Sequence, residues 1–182
     1  MPTLYLVRHG QAAAGFGSHS DPGLDDTGRE QSTAAATQLA RLDEMPIVSS
    51  PLARAQETAQ PLCALWQCAA SIEPRIAEIP SPTADLAARS AWLKEAMQGS
   101  WSTLGAEYVQ WRADLAQYLL GCTQDTVFFS HYVAINAAVG FAHNDDRLLV
   151  FHPNNASITR LTTDGETLRV LELGGEAKTH VN

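Results

Sequence analysis

The sequence predicts an α/β protein in which a mainly parallel, mixed central sheet lies between two layers of helices. Short apolar runs, typical of strands that are covered on both faces, alternate with helical patterns along most of the 182-residue chain. This alternation predicts strand–helix units and parallel strand pairing. Near the C-terminus, two runs of alternating apolar and polar residues flank Asp164-Gly165, which predicts a hairpin and therefore an antiparallel edge.

The individual elements follow from this pattern and from capping residues. Thr27 and Glu30 have the spacing of a capping box, so a helix is expected to start at Thr27. Ser50 and Pro51 suit the N-cap and the first position of the next helix, and Thr83 can cap a third. The predicted strands cover residues 4–7, 47–50, 71–76, 126–129, 157–161 and 168–171, and the predicted helices cover about residues 27–42, 52–67, 83–97 and 104–121.

Two of the predicted helices carry an apolar face at helical spacing. Such a face is expected to pack against the sheet. Aromatic residues at this spacing indicate core packing rather than a platform for a ligand. The faces comprise Ala35, Leu39 and Leu42 in the first helix, and Tyr108, Trp111, Leu115 and Leu119 in the last.

Composition and charge narrow the classes of function. The chain has the length of one domain, and we expect a single domain over residues 1–182. Twelve basic and twenty acidic residues give a net charge of −8, which argues against nucleic acids and anionic membranes as partners. The sequence shows no signal-peptide pattern, and Cys63, Cys68 and Cys122 lack the spacing of a metal site. We therefore expect reduced, partly buried thiols in a cytoplasmic protein.

Three predicted strands end in residues that suit phosphate chemistry. Arg8 and His9 follow the first strand, and Arg54 is expected in the first turn of the helix after the second. His131 follows the strand predicted over residues 126–129. Open α/β sheets bind ligands at the carboxyl ends of their strands, and helix N-termini there favour anions. A cation beside an imidazole at this edge indicates phosphate chemistry.

Five segments carry a recognisable pattern: residues 6–10 (Leu-Val-Arg-His-Gly), 24–31 (Leu-Asp-Asp-Thr-Gly-Arg-Glu-Gln), 50–59 (Ser-Pro-Leu-Ala-Arg-Ala-Gln-Glu-Thr-Ala), Glu78 after Ile76-Ala77, and Ser130-His131. Together they resemble the histidine phosphatase superfamily, the phosphoglycerate-mutase-like group of phosphatases and mutases. The resemblance runs from Thr3 to about Leu161 with the motifs in family order. It implies the three-layer α/β/α fold of that group.

The resemblance implies phosphoryl transfer without a cofactor. No metal site is expected, because the remaining histidines, His19, His143, His152 and His180, lack metal-binding spacing. Arg8 and Arg54 are expected to hold the phosphoryl oxygens through paired hydrogen bonds. His9 is the expected nucleophile, which attacks as a neutral imidazole and forms a phosphohistidine. His131 is expected to bind the transferring oxygens. Glu78 is expected to protonate the leaving group and later to deprotonate the attacking water.

Several positions depart from the mutases that the chain resembles. Gln11 and Gly15 stand where the mutases carry a glutamate and a phosphate-contacting asparagine, and Tyr132 replaces a frequent glycine. Residues 79–82, Ile-Pro-Ser-Pro, replace a stretch rich in Gly, Trp and Glu. The chain is also much shorter than the mutases, which leaves little material to shield a phosphohistidine from water. Hydrolysis is therefore the expected fate of that intermediate.

The leading prediction is a phosphatase that hydrolyses a phosphomonoester of a small metabolite. A protein phosphohistidine phosphatase is one alternative, although its phosphoramidate substrates need less help from an acid than Glu78 offers. A phosphate-binding protein without catalysis is another, although the set of candidate residues is intact. The pattern leaves open the substrate, the oligomeric state and the role of the Gly15–Asp25 loop in specificity.

Overall fold

A computed structural model describes residues 1–15 and 17–176, which form a six-stranded sheet with helices on both faces. The strands are β1 (Thr3–Arg8), β2 (Ile47–Ser49), β3 (Ser71–Ile72), β4 (Thr126–Ser130), β5 (Ile158–Thr163) and β6 (Leu168–Glu172). The helices are α1 (Asp26–Leu39), α2 (Ala53–Leu65), α3 (Leu86–Ala96), α4 (Trp101–Leu104), α5 (Ala106–Leu120) and α6 (Tyr132–Ala142). Within the described residues, none of these helices combines the length and the apolar character that crossing a membrane requires.

The strands lie in the order β3-β2-β4-β1-β5-β6. The pairs β3–β2, β2–β4 and β4–β1 are parallel, whereas β5 is antiparallel to both β1 and β6. The predicted mixed sheet with an antiparallel edge is therefore confirmed. In the register, Arg8 is opposite Ser130 and Ser49 is opposite Phe129, so β1, β2 and β4 end at the same edge.

Each face of the sheet contributes to a separate core. Leu4 and Leu6 of β1 pack with α5 and α6, whereas Tyr5 and Val7 pack with α1 and α2. This division follows from the alternation of side chains along a strand. Because both faces are covered, β1 and β4 are apolar at every position between their first and last residues, which is why they appear as apolar runs in the sequence.

The first helix is shorter than the sequence predicted. Its N-cap is Asp25, whose carboxylate accepts a hydrogen bond from the Gly28 N–H at 2.7 Å, so the prediction of Thr27 as the cap is wrong. The prediction of its end is also wrong, because α1 stops at Leu39 and leaves Leu42 exposed. Asp25 reaches the third helical N–H, as an N-cap side chain does, and so starts the helix two residues early.

The second helix begins at Ala53, with Arg54 in its first turn as predicted. The predicted cap is wrong, because the Ser50 hydroxyl accepts from a backbone N–H before the helix and Pro51 lies outside it. The Ala53 N–H instead donates to the Asp21 carboxylate at 2.9 Å. A side chain from the long loop after β1 therefore occupies the N-terminus of α2, a contact between distant parts of the chain.

The segment between β3 and α3 also differs from expectation. β3 has only two residues, because the Glu73 side chain accepts from the Arg75 N–H and starts a 3₁₀ turn over Pro74–Ile76. The predicted strand over 71–76 is therefore wrong beyond Ile72. The predicted cap of the following helix is wrong as well. Asp85, not Thr83, accepts the Ala88 N–H at 2.8 Å and starts α3.

The helix predicted over residues 104–121 is confirmed as α5 (Ala106–Leu120), and the short helix α4 that precedes it was not predicted. Gly105 has φ +129°, a conformation that ends α4 and that side-chain-bearing residues rarely adopt. The core prediction for Tyr108, Leu115 and Leu119 is confirmed, because all three are buried in α5. Trp111 is only half-buried, and it stacks on the ring of the fully buried Trp101 in α4.

All three cysteines carry free thiols. Cys63 and Cys122 are half-buried as expected, whereas Cys68 is exposed because it lies beyond the C-terminal end of α2. Burial raises the pKa of the Cys63 and Cys122 thiols above its ordinary value. The protonated form is therefore favoured, and the thiolate that would react is disfavoured.

Candidate active site

The carboxyl ends of β1, β2 and β4 border a cavity of about 490 Å³. Its wall includes Arg8, His9, Arg54, Glu78 and Tyr132. Four of the five site residues predicted from the sequence therefore face one space, although they come from three different parts of the chain. The cavity lies where open α/β sheets bind ligands.

The strand register brings the two predicted histidines together. The His9 N–H donates to the Ser130 carbonyl at 3.0 Å, which continues the β1–β4 pairing beyond Arg8. His9 and His131 are therefore side by side, with ring centroids 5.3 Å apart. Ser50 follows β2 at the same level, and its hydroxyl lies 2.7 Å from His131 Nε2.

The His9 ring is oriented by two neighbours. Its Nδ1 lies 2.7 Å from the Gly10 carbonyl oxygen, which can only accept, so Nδ1 carries the proton. In the neutral ring Nε2 then holds the lone pair, and it accepts from Arg54 Nε at 3.2 Å. Burial, and then the Arg54 and Arg8 charges, hold the pKa of His9 well below its ordinary range. The ring is therefore neutral at neutral pH, with Nε2 as its nucleophilic atom.

Both arginines of the predicted site are held in place before any ligand binds. Arg8 is the last residue of β1, and its Nη1 donates to the Pro153 carbonyl at 2.8 Å. Its guanidinium carbon lies 4.8 Å from the centroid of the Tyr132 ring. Arg54 is 5% exposed and lies against His9. Burial lowers the pKa of both guanidinium groups, although arginine remains a cation in proteins.

Glu78 lies at the N-terminus of α6. Its carboxylate accepts from the Val133 N–H at 3.1 Å, from the Ala134 N–H at 3.2 Å and from its neighbour, the Ile79 N–H, at 3.1 Å. Burial raises the pKa of Glu78, against the Arg54 charge and these backbone donors, which lower it. The helix therefore fixes the position of the carboxyl group, and burial makes it a better proton donor near neutral pH than an exposed glutamate.

His131 is fully buried beside the cavity wall. Burial, followed by electrostatic interactions with His9, Arg54 and Arg8, holds the pKa of His131 well below its ordinary range. Its Nε2 is hydrogen-bonded to Ser50, and within the described part of the chain Nδ1 has no hydrogen-bond partner. The structure thus places His131 next to the predicted nucleophile, in the interior rather than on the cavity surface.

Two glycines allow the segment after His9 to pack against the start of α1. A Cβ on Gly10 would lie 2.5 Å from the Gly28 carbonyl oxygen, and one on Gly28 would lie 2.2 Å from the Gln11 carbonyl oxygen. Because both contacts are with backbone atoms, neither position can accept a side chain without a shift of the chain. The Gly10 N–H also donates to the Thr58 hydroxyl at 2.9 Å, which ties this segment to α2.

Two polar residues of the cavity wall were missed by the sequence analysis. Asn155 lies on the wall, and its Nδ2 donates to the His9 carbonyl at 3.0 Å. Arg89, on α3, is a third arginine on the wall. A local pattern could not identify Asn155, since its partner is distant in the chain. The sequence did contain a signal for Arg89. Arg89, Leu93 and Met97 are four residues apart, and residues at this spacing share one face of a helix.

The loop after β1 forms part of the cavity wall through Gly15, His19 and Asp25, among others. His19 is an exposed residue on this wall, and its Nδ1 accepts a hydrogen bond from a backbone N–H within the loop. Glu73, the carboxylate most easily confused with Glu78 in the sequence, is paired instead with Arg75 at 2.8 Å.

The sequence of the chain matches one protein-family model and several named proteins. The model of the histidine phosphatase superfamily (branch 1) matches residues 4–175. A glucosyl-3-phosphoglycerate phosphatase of Mycolicibacterium vanbaalenii is 47% identical over 60 residues, 31% of this chain and 27% of that protein. A probable phosphoglycerate mutase of Photorhabdus laumondii is 32% identical over 83 residues, 43% of this chain and 39% of that protein. The chain thus aligns with well under half the length of these relatives.

Solved structures share the fold over nearly the whole chain. A phosphoserine phosphatase from Entamoeba histolytica, in complex with 3-phosphoglyceric acid, has a TM-score of 0.74 at 21% identity and covers 96% of this chain and 98% of its own. A mycobacterial glucosyl-3-phosphoglycerate phosphatase in complex with VO₃ has a TM-score of 0.70 at 24% identity, and the match covers 98% of this chain and 100% of that one. At these identities the likeness establishes a common fold.

Proposed function

This chain belongs to the histidine phosphatase superfamily (branch 1), and on that premise we propose that it hydrolyses phosphomonoesters of small metabolites through a phosphohistidine on His9. The observation that carries the proposal is the state of His9. Its Nε2 lone pair lies at the edge where the parallel strands end, and two guanidinium groups flank it. An imidazole that stays neutral between two cations is suited to attack an anionic phosphoryl group.

In the first step, Arg8 and Arg54 hold the phosphoryl oxygens, and Arg54 Nε gives up its hydrogen bond to His9 Nε2. The freed lone pair of Nε2 then attacks phosphorus opposite the ester oxygen. The P–N bond forms as the P–O bond breaks. The leaving oxygen takes the proton of Glu78, whose raised pKa keeps that proton available. No metal ion is needed in this scheme, because the arginines balance the charge on the equatorial oxygens.

In the second step, a water molecule attacks the phosphohistidine. Glu78, now ionised, removes a proton from the water, and the P–N bond breaks as the new P–O bond forms. His9 returns to the neutral state that its surroundings favour. His131 supports both steps from the interior, as a neutral ring beside His9 that can contact the transferring oxygens once Ser50 releases it.

Small phosphorylated metabolites are the proposed substrates. The cavity of about 490 Å³ is in the range of small-molecule sites. The relatives named above as phosphatases are named for glucosyl-3-phosphoglycerate and phosphoserine, which are small phosphate esters. The three free thiols further suit a reducing compartment, and we place the enzyme in the cytoplasm.

Substitution of the nucleophile tests the proposal. His9→Ala is expected to abolish turnover of 4-nitrophenyl phosphate while leaving the circular dichroism spectrum unchanged. Wild-type protein treated with a phosphate donor is expected to carry an acid-labile, base-stable label that the variant lacks. His143→Ala, which removes an exposed histidine outside the cavity, is the matched control and should keep both the activity and the label. Undiminished turnover in His9→Ala would refute the covalent mechanism.

A further inference from the structure

The C-terminal end of α2 brings two cysteines together. After the helix, Gln67 has φ +50°, the left-handed conformation in which many helices end. The Gln67 N–H donates to the Ala64 carbonyl at 3.4 Å. The Cys68 N–H donates to the Cys63 carbonyl at 3.0 Å. This pair of bonds is the Schellman motif, in which the two residues joined by the outer bond, here Cys63 and Cys68, commonly bring their side chains into contact.

The two thiols also influence each other electrostatically. Burial is the largest cause of the raised pKa of Cys63, and the charge of Cys68 is the next. Such a repulsion requires that the two sulfur atoms lie near each other, in agreement with the hydrogen bonds of the motif. Cys63 is half-buried against the core beneath α1 and α2, whereas Cys68 is exposed. The pair therefore combines a thiol that small molecules can reach with one that is shielded.

The third cysteine lies on the other side of the sheet. Cys122 follows α5 and packs against the core that α5 and α6 cover, where its thiol donates to the Tyr118 carbonyl at 3.5 Å. The sheet therefore separates Cys122 from Cys63 and Cys68. Of the three cysteines in the sequence, the two at the end of α2 are the pair that can be joined within one molecule.

We propose that Cys63 and Cys68 form a reversible redox site, which a low-molecular-weight disulfide converts into an intramolecular disulfide. In the first step, the Cys68 thiolate attacks one sulfur of the small disulfide, whose S–S bond breaks and releases one thiolate. In the second step, Cys63 loses its proton and attacks the Cys68 sulfur of the mixed disulfide, and the second small thiolate leaves. The protein thiols are oxidised, and the small disulfide is reduced to two thiols, which take up the protons that Cys68 and Cys63 give up.

The motif prepares the closure of the ring. Helix α2 fixes Cys63, and the left-handed Gln67 turns the chain so that Cys68 returns to it. Little conformational freedom is then lost when the S–S bond forms, whereas an unfolded chain would first have to bring the two residues together. The folded protein should therefore form this disulfide more readily. The site lies at the opposite end of α2 from Arg54, so the reaction is independent of the proposed phosphoryl transfer.

The test equilibrates fully reduced protein with mixtures of glutathione and glutathione disulfide and then alkylates the free thiols with iodoacetamide. Mass spectrometry is expected to find the tryptic peptide 55–75 without two hydrogen atoms and without alkylation, and to find Cys122 alkylated. The equilibrium constant should be at least about tenfold larger in native protein than in protein unfolded in urea, because folding holds the two thiols together. Cys122→Ser is the control and should form the same disulfide. Cys63→Ser should stop at the mixed disulfide of Cys68 with glutathione.

Three results would overturn the proposal. An equilibrium constant in native protein no larger than in urea would show that the motif does not bring the two sulfur atoms within bonding reach. Wild-type protein that keeps glutathione on Cys68, as Cys63→Ser does, would show that Cys63 cannot complete the exchange. Dimers linked through Cys68, in place of the internal disulfide, would make the exposed thiol an intermolecular site.

Discussion

At the level of single side chains, the environment of His9 explains how an ordinary imidazole is prepared for attack. An exposed histidine is partly protonated near neutral pH and would then have no free lone pair. Here burial, with help from Arg54 and Arg8, keeps the ring neutral, and the Gly10 carbonyl selects the form with Nε2 unprotonated. The two arginines proposed to bind the phosphate therefore also protect the proposed nucleophile from protonation.

Glu78 is expected to act as the general acid, and the dependence of the rate on the leaving group tests this role. In Glu78→Gln, the rate with alkyl phosphates should fall by about 10²–10⁴-fold, because an alkoxide leaves poorly without a proton. The rate with aryl phosphates should fall far less, since an aryl oxide needs little help. The measurement is kcat/KM for a series of leaving groups of different pKa.

Glu73→Gln is the matched control for this series, because Glu73 is paired with Arg75 and lies away from the cavity wall. It should leave the dependence on the leaving group unchanged. If Glu78→Gln lowered the rate uniformly for all esters, Glu78 would be a binding or structural residue. Such a result would also favour phosphoramidate substrates, whose nitrogen needs less protonation.

Tyr132 connects Arg8, which is proposed to bind phosphate, to the segment after α6. Its ring lies under the Arg8 guanidinium, and its hydroxyl is hydrogen-bonded to His152 Nδ1 at 2.5 Å. The next residue, Pro153, accepts the hydrogen bond from Arg8 Nη1. Arg8 is therefore held from two sides by groups that are themselves joined. Tyr132 stands where a glycine is frequent, and in this chain its side chain helps to hold Arg8 in place.

Tyr132→Leu is expected to raise KM for 4-nitrophenyl phosphate by about twofold to thirtyfold, the range of a cation–π contact. Tyr132→Phe keeps the ring under Arg8 and loses only the hydroxyl, so its KM should rise less. Steady-state kinetics of the two variants measure the difference, with the melting temperature as a check on folding. Equal values of KM in both variants would show that the ring does not position Arg8.

At the level of helices and strands, side-chain alternation was a better guide than capping residues. The apolar run of β1 was correctly assigned because each of its two faces packs on its own core. The predicted N-cap of α1 was wrong because Asp25 and Thr27 are both suitable N-cap residues. The choice between them depends on where the chain turns, and that turn depends on the contact of Gly28 with the segment after His9.

Gly28→Ala tests this contact. On helix propensity alone, alanine in α1 would stabilise the protein by up to about 1 kcal/mol. The new Cβ would instead meet the Gln11 carbonyl oxygen, so we expect a loss of about 1–3 kcal/mol in the free energy of unfolding. Gly121→Ala is the control, because its Cβ would have ordinary contacts at 3.5 Å and its φ is −73°. Urea denaturation of both variants measures the difference, and a stabilised Gly28→Ala would contradict the contact.

For the molecule as a whole, the buried histidines make stability depend on pH. His9 and His131 stay neutral in the folded protein well below the ordinary histidine pKa of 6.5. Below pH 6.5 the unfolded chain protonates both histidines, whereas the folded protein does not. The free energy of unfolding therefore decreases as the pH is lowered below 6.5. Glu78 acts in the opposite sense, because its raised pKa lets the folded state keep a proton that the unfolded chain releases above about 4.5.

The expected slope is about 1.4 kcal/mol per pH unit for each histidine, less the opposing contribution of Glu78. His131→Asn, which cannot titrate, should therefore have a smaller slope than wild type below pH 6.5. His143→Asn, at an exposed position, should parallel wild type. The free energy of unfolding from urea denaturation at a series of pH values measures the slopes. A His131→Asn slope equal to that of wild type would mean that His131 is protonated in the folded protein.

Arg8, His9, Arg54 and His131 could be assigned to one edge from sequence because parallel strands present their carboxyl ends together, and each residue follows or lies one turn beyond a strand. That geometry is local and repeats in every strand–helix unit. Their state is not local. The neutral His9, the hydrogen bonds of Glu78 to α6 and the placement of Arg89 depend on contacts between residues far apart in the chain. Such contacts form only when the helices pack on the sheet, because packing sets which face each helix presents and how much water is excluded.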